Sequence, residues 1–131
     1  MTVTLNAQDL DQIHKGIREK YAKVAVNPEG QFNYPTGRAG LEMLTYDAAI
    51  VAELPEAVTA SFCGVGNPFA LGEIAPGARV IDIGCGAGVD ALLASKIVGA
   101  SGSVMGLDIS PEMIQRAEAN NKESGDENVT F

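Results

Sequence analysis

Between Val80 and Asp90 the chain reads Val-Ile-Asp-Ile-Gly-Cys-Gly-Ala-Gly-Val-Asp. Asp82 precedes glycines at 84, 86 and 88, and Asp108 follows the last of them by twenty residues. Glycines at that spacing let a backbone turn tightly and approach a ligand with no Cβ in the way. The residues that follow, 89 to about 98, read as a helix whose first N–H groups and positive dipole end point at the loop. This geometry cradles a nucleotide. A dinucleotide fingerprint, Gly-x-Gly-x-x-Gly, fails here because its last glycine, counted from Gly84, falls on Val89. No lysine follows the loop as a phosphate-binding P-loop requires.

The elements that must hold these residues are short and alternate in type. Ala78 to Ile83 is rich in β-branched residues and follows a Pro76-Gly77 turn, which suits a buried parallel strand. Ser103 to Asp108 reads as a second strand. Ser110 caps a helix with Pro111 at its first position, running to about Lys122. Asn128 to Phe131 begins a third strand. Strands alternating with helices give right-handed crossovers and a parallel sheet, with the ligand crevice beside the first strand.

Upstream, residues 8 to 24 carry Leu10, Ile13, Ile17, Tyr21 and Val24 at helical spacing, with Asn6 as N-cap and Asp9 three residues on. Tyr21 reads either as part of that packed stripe or as a lid residue over a ligand. Asn27 to Gly40 is a loop holding Phe32, Asn33, Tyr34, Thr36 and Arg38, and reads either as a lid or as a connector. Leu41 to Leu54 reads as a helix broken near Thr45, which caps its second part; Leu54-Pro55 stops it. A short helical piece to Ser61 follows. Asn67-Pro68 starts another short helix that leads into the strand at 79.

Composition narrows the classes. The chain has 131 residues, 46% of them hydrophobic, and a net charge of −8. That charge disfavours nucleic acid and anionic membrane surfaces as partners, since both need a basic footprint. There is no run of eighteen apolar residues and no secretory pattern at the N-terminus, so a cytoplasmic protein is expected. Cys63 and Cys85 do not make a disulfide framework. His14 stands alone as a surface residue, and no cluster has metal-ligand spacing.

With its acidic residue ahead of Gly-x-Gly-x-Gly, the central stretch resembles the class I S-adenosylmethionine (SAM)-dependent methyltransferases. From about Thr45 onward the chain is similar to their arsenite methyltransferase-like branch. The matching pieces are Leu54-Pro55-Glu56, Gly64-x-Gly66-Asn67-Pro68, VIDIGCGAGVDALLASKIVG and MGLDISPEMIQRA. The resemblance implies that Asp82, Gly84, Cys85, Gly86 and Gly88 hold the methionine end of SAM. It also implies that Asp108 accepts the ribose hydroxyls and Ile109 flanks the adenine. Tyr21 and Tyr34, with Asn33 and Thr36, would serve as lid or substrate contacts. No general base is assigned. Enzymes of the arsenite branch carry a cysteine where this chain has Val65, and trivalent arsenic needs several thiolates. The acceptor is therefore left open, small molecule or otherwise, with arsenite not expected.

The expected architecture is α/β, a Rossmann-like methyltransferase fold represented by its N-terminal half, with three parallel strands. Residues 1–75 would form a helical cap or lid and residues 76–131 the first half of the SAM-binding domain, as in a fragment of a longer protein. The expected function is SAM-dependent methyl transfer. The alternatives are a non-catalytic SAM-binding module and, less favoured, a nicotinamide-dependent oxidoreductase. The strand at 79–83 would lie at an exposed sheet edge, through which a homodimer is expected.

Overall fold

The computed structural model describes residues 4–131. Its centre is a parallel sheet of β1 (Arg79–Ile83), β2 (Ser103–Leu107) and β3 (Val129–Thr130), in the order β1-β2-β3. Arg79 stands opposite Ser103 and Ile83 opposite Leu107. α5 (Val89–Val98) follows β1 and packs against all three strands; α6 (Pro111–Ser124) follows β2 and packs beside it.

The core lies between α5 and the segment upstream of the sheet. Leu92, Leu93 and Val98 of α5 are at most 1% exposed, and they meet Leu41, Val51, Leu54, Val58 and Phe62 on one side and Val104 and Val129 on the other. Full burial of each such side chain stabilises by about 1.5–3 kcal/mol. α5 is therefore apolar nearly all round, as a helix sandwiched between layers must be.

The strand β1 is half-buried on one face and exposed on the other, where the sequence suggests burial on both. Ile81 and Ile83 are 63% and 83% exposed, and Met105, Leu107 and Ile109 share that exposure. A strand rich in β-branched residues reads as doubly buried, but α5 and α6 leave this face of the sheet uncovered.

Upstream, α1 (Ala7–Val26) begins with the expected capping box: Asn6 Oδ1 accepts from Asp9 N, and Asp9 Oδ2 accepts from Asn6 N. Its apolar stripe does not pack throughout. Val24 is buried against Ala87 and Met113, whereas Leu10, Ile13 and Ile17 are 39–44% exposed. Periodicity gave the helix; only its C-terminal end meets the body.

The helix after the loop starts earlier than Leu41. α2 spans Gly37–Met43, and Gly37 N donates to Phe62 O at 2.7 Å. Thr45 is not the cap of the next piece. It sits at φ 57°, and Asp47 caps α3 (Ala48–Val51) by accepting from Ala49 N. Asn67 stabilises this costly turn: its Nδ2 donates to Leu44 O and Thr45 O, and its Oδ1 accepts from Phe69 N. α4 (Glu56–Thr59) and a 3₁₀ turn at Pro68–Leu71 complete the approach to β1.

Candidate functional site

The loop after β1 is built around Asp108. Gly84, Gly86 and Gly88 all take left-handed φ values, of 77°, 54° and 84°. Gly84 N and Cys85 N both donate to Leu107 O, which ties the loop to the end of β2. Gly86 N then donates to Asp108 Oδ2 at 2.8 Å, and Ser110 N donates to Oδ1 at 2.9 Å. The carboxylate is thus held by two backbone donors, and each oxygen keeps a lone pair for a further donor.

Above the loop is a cavity of about 310 Å³, within the range of small-ligand sites. Gly84, Cys85, Gly86, Asp108 and Ile109 line it from the sheet side. Tyr21 of α1 and Tyr34 close it from the other. Tyr34 stacks on Phe32 at 4.9 Å between ring centres, and its hydroxyl donates to Cys63 O, so the loop at 27–36 folds down as an aromatic wall. A larger depression of about 550 Å³ lies at the far end of α5. There Lys96 and Asp126 already pair at 2.7 Å, and it offers no comparable set of free polar groups.

Four expected contacts fall elsewhere. A Cβ on Gly88 would lie 2.7 Å from the Phe131 ring and 3.0 Å from Ala117 Cβ, so Gly88 faces packing rather than the cavity. Asn33 is exposed and outside the cavity. Thr36 lines a separate groove with Arg38 and Glu56. Asp82 lies beneath the loop rather than in the wall. Its Oδ2 is buried with no hydrogen-bond partner, and burial, then the charge of Asp108, pushes its carboxyl up.

Charge in this region is one-sided. Burial and Asp108 push the Cys63 thiol up to about 11, and burial with Asp82 and Asp108 pushes Cys85 up to about 12. Burial, then Cys63, raises Tyr21 and Tyr34 as well.

Two residues of the site were not read from sequence. Asp90, in the first turn of α5, lines the cavity, and its Oδ1 lies 2.7 Å from the Tyr46 hydroxyl. Burial, reinforced by Asp82 and opposed by the Tyr46 hydrogen bond, pushes Asp90 up to about 6. An acidic residue in a first helical turn is the ordinary dipole pattern, which hides a special role. Tyr46 lies 44 positions away, with no local signal joining the two.

Residues 74–131 match the family model described as a methyltransferase domain. Over 138 aligned positions the chain is 36% identical to an arsenite methyltransferase of Halobacterium salinarum, covering 95% of this chain and 35% of that protein. It is 29% identical over 109 positions to an arsenite methyltransferase of Aquipseudomonas alcaligenes, covering 82% of this chain and 30% of the relative. The crystal structure of CrArsM, an arsenic(III) S-adenosylmethionine methyltransferase from Chlamydomonas reinhardtii, superposes with a TM-score of 0.54 at 38% identity. That superposition covers 63% of this chain and 29% of the other.

The fold is the Rossmann-like fold of the class I SAM-dependent methyltransferases, and the stretch 74–131 is similar to the methyltransferase-domain family. Within that class the chain is similar to the arsenite methyltransferase-like branch, and it spans about a third of the length of the two curated relatives, 35% and 30%. No described helix is long and apolar enough to cross a membrane.

Proposed function

We propose that this chain forms the SAM-binding part of a methyltransferase. The observation that carries it is the joint between loop and carboxylate, in which Gly86 N and Ser110 N fix Asp108 at the cavity rim. The residues present suit SAM: free acceptor positions on Asp108 for ribose hydroxyls, an orphaned carboxylate oxygen on Asp82, and no lysine or arginine lining the cavity to favour phosphate. When bound, SAM supplies an electrophilic methyl group. The chain's own part is to orient and to exclude water. Gly84, Cys85 and Gly86 would hold the methionine end above Asp82, Asp108 the ribose, and Ile109 the adenine. Residues 1–75 would act as cap, with Tyr21 and Tyr34 as the wall that shuts out solvent.

The acceptor proposed is not arsenite. Val65 occupies the position between Gly64 and Gly66 and is 79% exposed, and both thiols of the cavity are held protonated. Thiolates are what arsenic binding needs. Methylarsenicals formed from arsenite, SAM and a thiol by the full-length protein would overturn this. For the cofactor, calorimetry with S-adenosylhomocysteine and with NAD is the test. Tighter binding of NAD would overturn the methyltransferase reading. We further propose that the 131-residue chain self-associates through the free edge of β1.

A further inference from the structure

The Tyr46 hydroxyl lies 2.7 Å from Asp90 Oδ1 and 3.0 Å from Gly66 O. A phenol has one proton to donate, and here two acceptors face it. With Asp90 ionised, the proton goes to the carboxylate and Gly66 O loses its donor. With Asp90 protonated, the carboxyl donates to Tyr46 Oη while Tyr46 donates to Gly66 O, and all three groups are satisfied. The protonated form thus makes one hydrogen bond more within this triad, in line with a carboxyl pushed up to about 6. A second carboxylate, Asp82 beneath the loop, has an orphaned buried oxygen and acts on Asp90 by its charge. Among the described residues the ion pairs are Lys15–Glu19 and Lys96–Asp126, so neither Asp82 nor Asp90 has a resident cationic partner.

We propose that Asp90 recognises the cationic amino group of the cofactor's methionine moiety, and that Tyr46 is its positioning residue, passing its proton from Gly66 O to Asp90 as the ligand enters. This rests on the cofactor reading above and deepens it. The balance is simple: the ammonium arrives with its charge, Asp90 below about pH 6 releases one proton to solvent, and the Tyr46 O–H turns from the carbonyl to the carboxylate. No bond other than O–H changes. Gly64 and Val65 line the cavity next to Gly66, so losing the Tyr46 bond loosens that wall when the ligand is in place. Position in the first turn of α5 favours an ionised Asp90, whereas burial, reinforced by Asp82, pushes its carboxyl up. The groups facing Asp90 are Tyr46 from the turn before α3 and Asp82 from β1. Tyr21, Tyr34, Cys63, Cys85 and Asp108 are the other titratable groups around the cavity.

The experiment is a calorimetric titration of the chain between pH 5 and 8 with S-adenosylhomocysteine, and with 5′-methylthioadenosine, which keeps the nucleoside and lacks the amino acid. His14, the single histidine, is replaced in the background as H14Q. S-adenosylhomocysteine should bind about tenfold more weakly at pH 5 than at pH 7.5, and methylthioadenosine should show no such dependence. Asp90→Asn should give a flat, weaker profile for S-adenosylhomocysteine. Tyr46→Phe removes a donor to the ionised carboxylate, so its profile should keep its shape and shift to higher pH. A flat wild-type profile with measurable binding would overturn the role of Asp90 and leave the cofactor reading standing. An unshifted Tyr46→Phe profile would overturn the relay even if Asp90→Asn failed to fold. No binding of either ligand at any pH would remove the cofactor reading and this inference together.

Discussion

At the scale of residues, Asp108 and Asp90 show how one carboxylate announces itself and another does not. The spacing from Gly88 to Asp108 put Asp108 at a strand end beside the loop, and it stands there. What spacing could not show is that Gly86 N and Ser110 N both rely on it. Asp108→Ala should therefore weaken S-adenosylhomocysteine binding at least tenfold and also lower the melting temperature, because orphaned backbone donors cost about 1–3 kcal/mol each where buried. Asp108→Asn, which keeps an oxygen acceptor, should lose affinity with a smaller thermal penalty. Calorimetry paired with thermal melts separates the two variants, and an unchanged dissociation constant in both would reduce Asp108 to a loop tether. Asp90 yields a stability prediction of its own. A carboxyl raised from its ordinary 3.8 to about 6 in the fold stabilises most below pH 4 and loses that contribution as pH rises through 6. The ligand-free chain should be less stable at pH 7.5 than at pH 5 from this group by about 1.4 kcal/mol. Denaturant melts at the two values would show it, and the difference should shrink in Asp90→Asn.

At the scale of elements, what was legible followed from local chemistry. The Asn6 box, Ser110 with Pro111, and Asn67 with Pro68 each mark a helix start by side-chain hydrogen bonds to nearby backbone, and each holds. The failures lie where a distant partner decides. Thr45 looked like a cap, but Asn67, reaching back to Leu44 O and Thr45 O, holds it in a left-handed turn. The stripe on α1 gave a helix and not its packing, because Leu10 and Ile13 have no element above them. Asn120 is a further long-range device. It is 2% exposed, and its Nδ2 donates to Ser61 Oγ at 2.9 Å and Ala87 O at 2.8 Å. It thereby ties α6 to the end of α4 and to the glycine loop. Nothing in the pattern of α6 distinguishes it from its neighbour Asn121. Asn120→Leu should destabilise by about 2–3 kcal/mol by leaving Ala87 O and Ser61 Oγ short of a buried donor. Asn121→Leu should cost less, since its Nδ2 holds no such bridge. Equal losses in denaturant melts would deny Asn120 its bridging part.

At the scale of the whole molecule, the order β1-β2-β3 leaves the strand that carries the site at the rim of the sheet. β1 pairs only with β2, so the backbone groups on its other side have no strand partner among the described residues. Ile81 and Ile83 project from the same strand onto the uncovered face, next to Met105 and Leu107. A free edge beside an apolar face is a template for another chain. The net charge of −8 opposes association at long range, but salt screens exposed charges over about 8–10 Å and leaves the apolar contact intact. The 131-residue chain should therefore associate more strongly as salt rises, the reverse of an ion-paired interface. Light scattering over a dilution series at low and high salt should show a dimer that dissociates on dilution. Ile81→Lys, which places a charge on the edge strand where the side chain is already 63% exposed, should favour the monomer without unfolding it. A compact monomer at every concentration and salt would mean that the β1 edge does not self-pair.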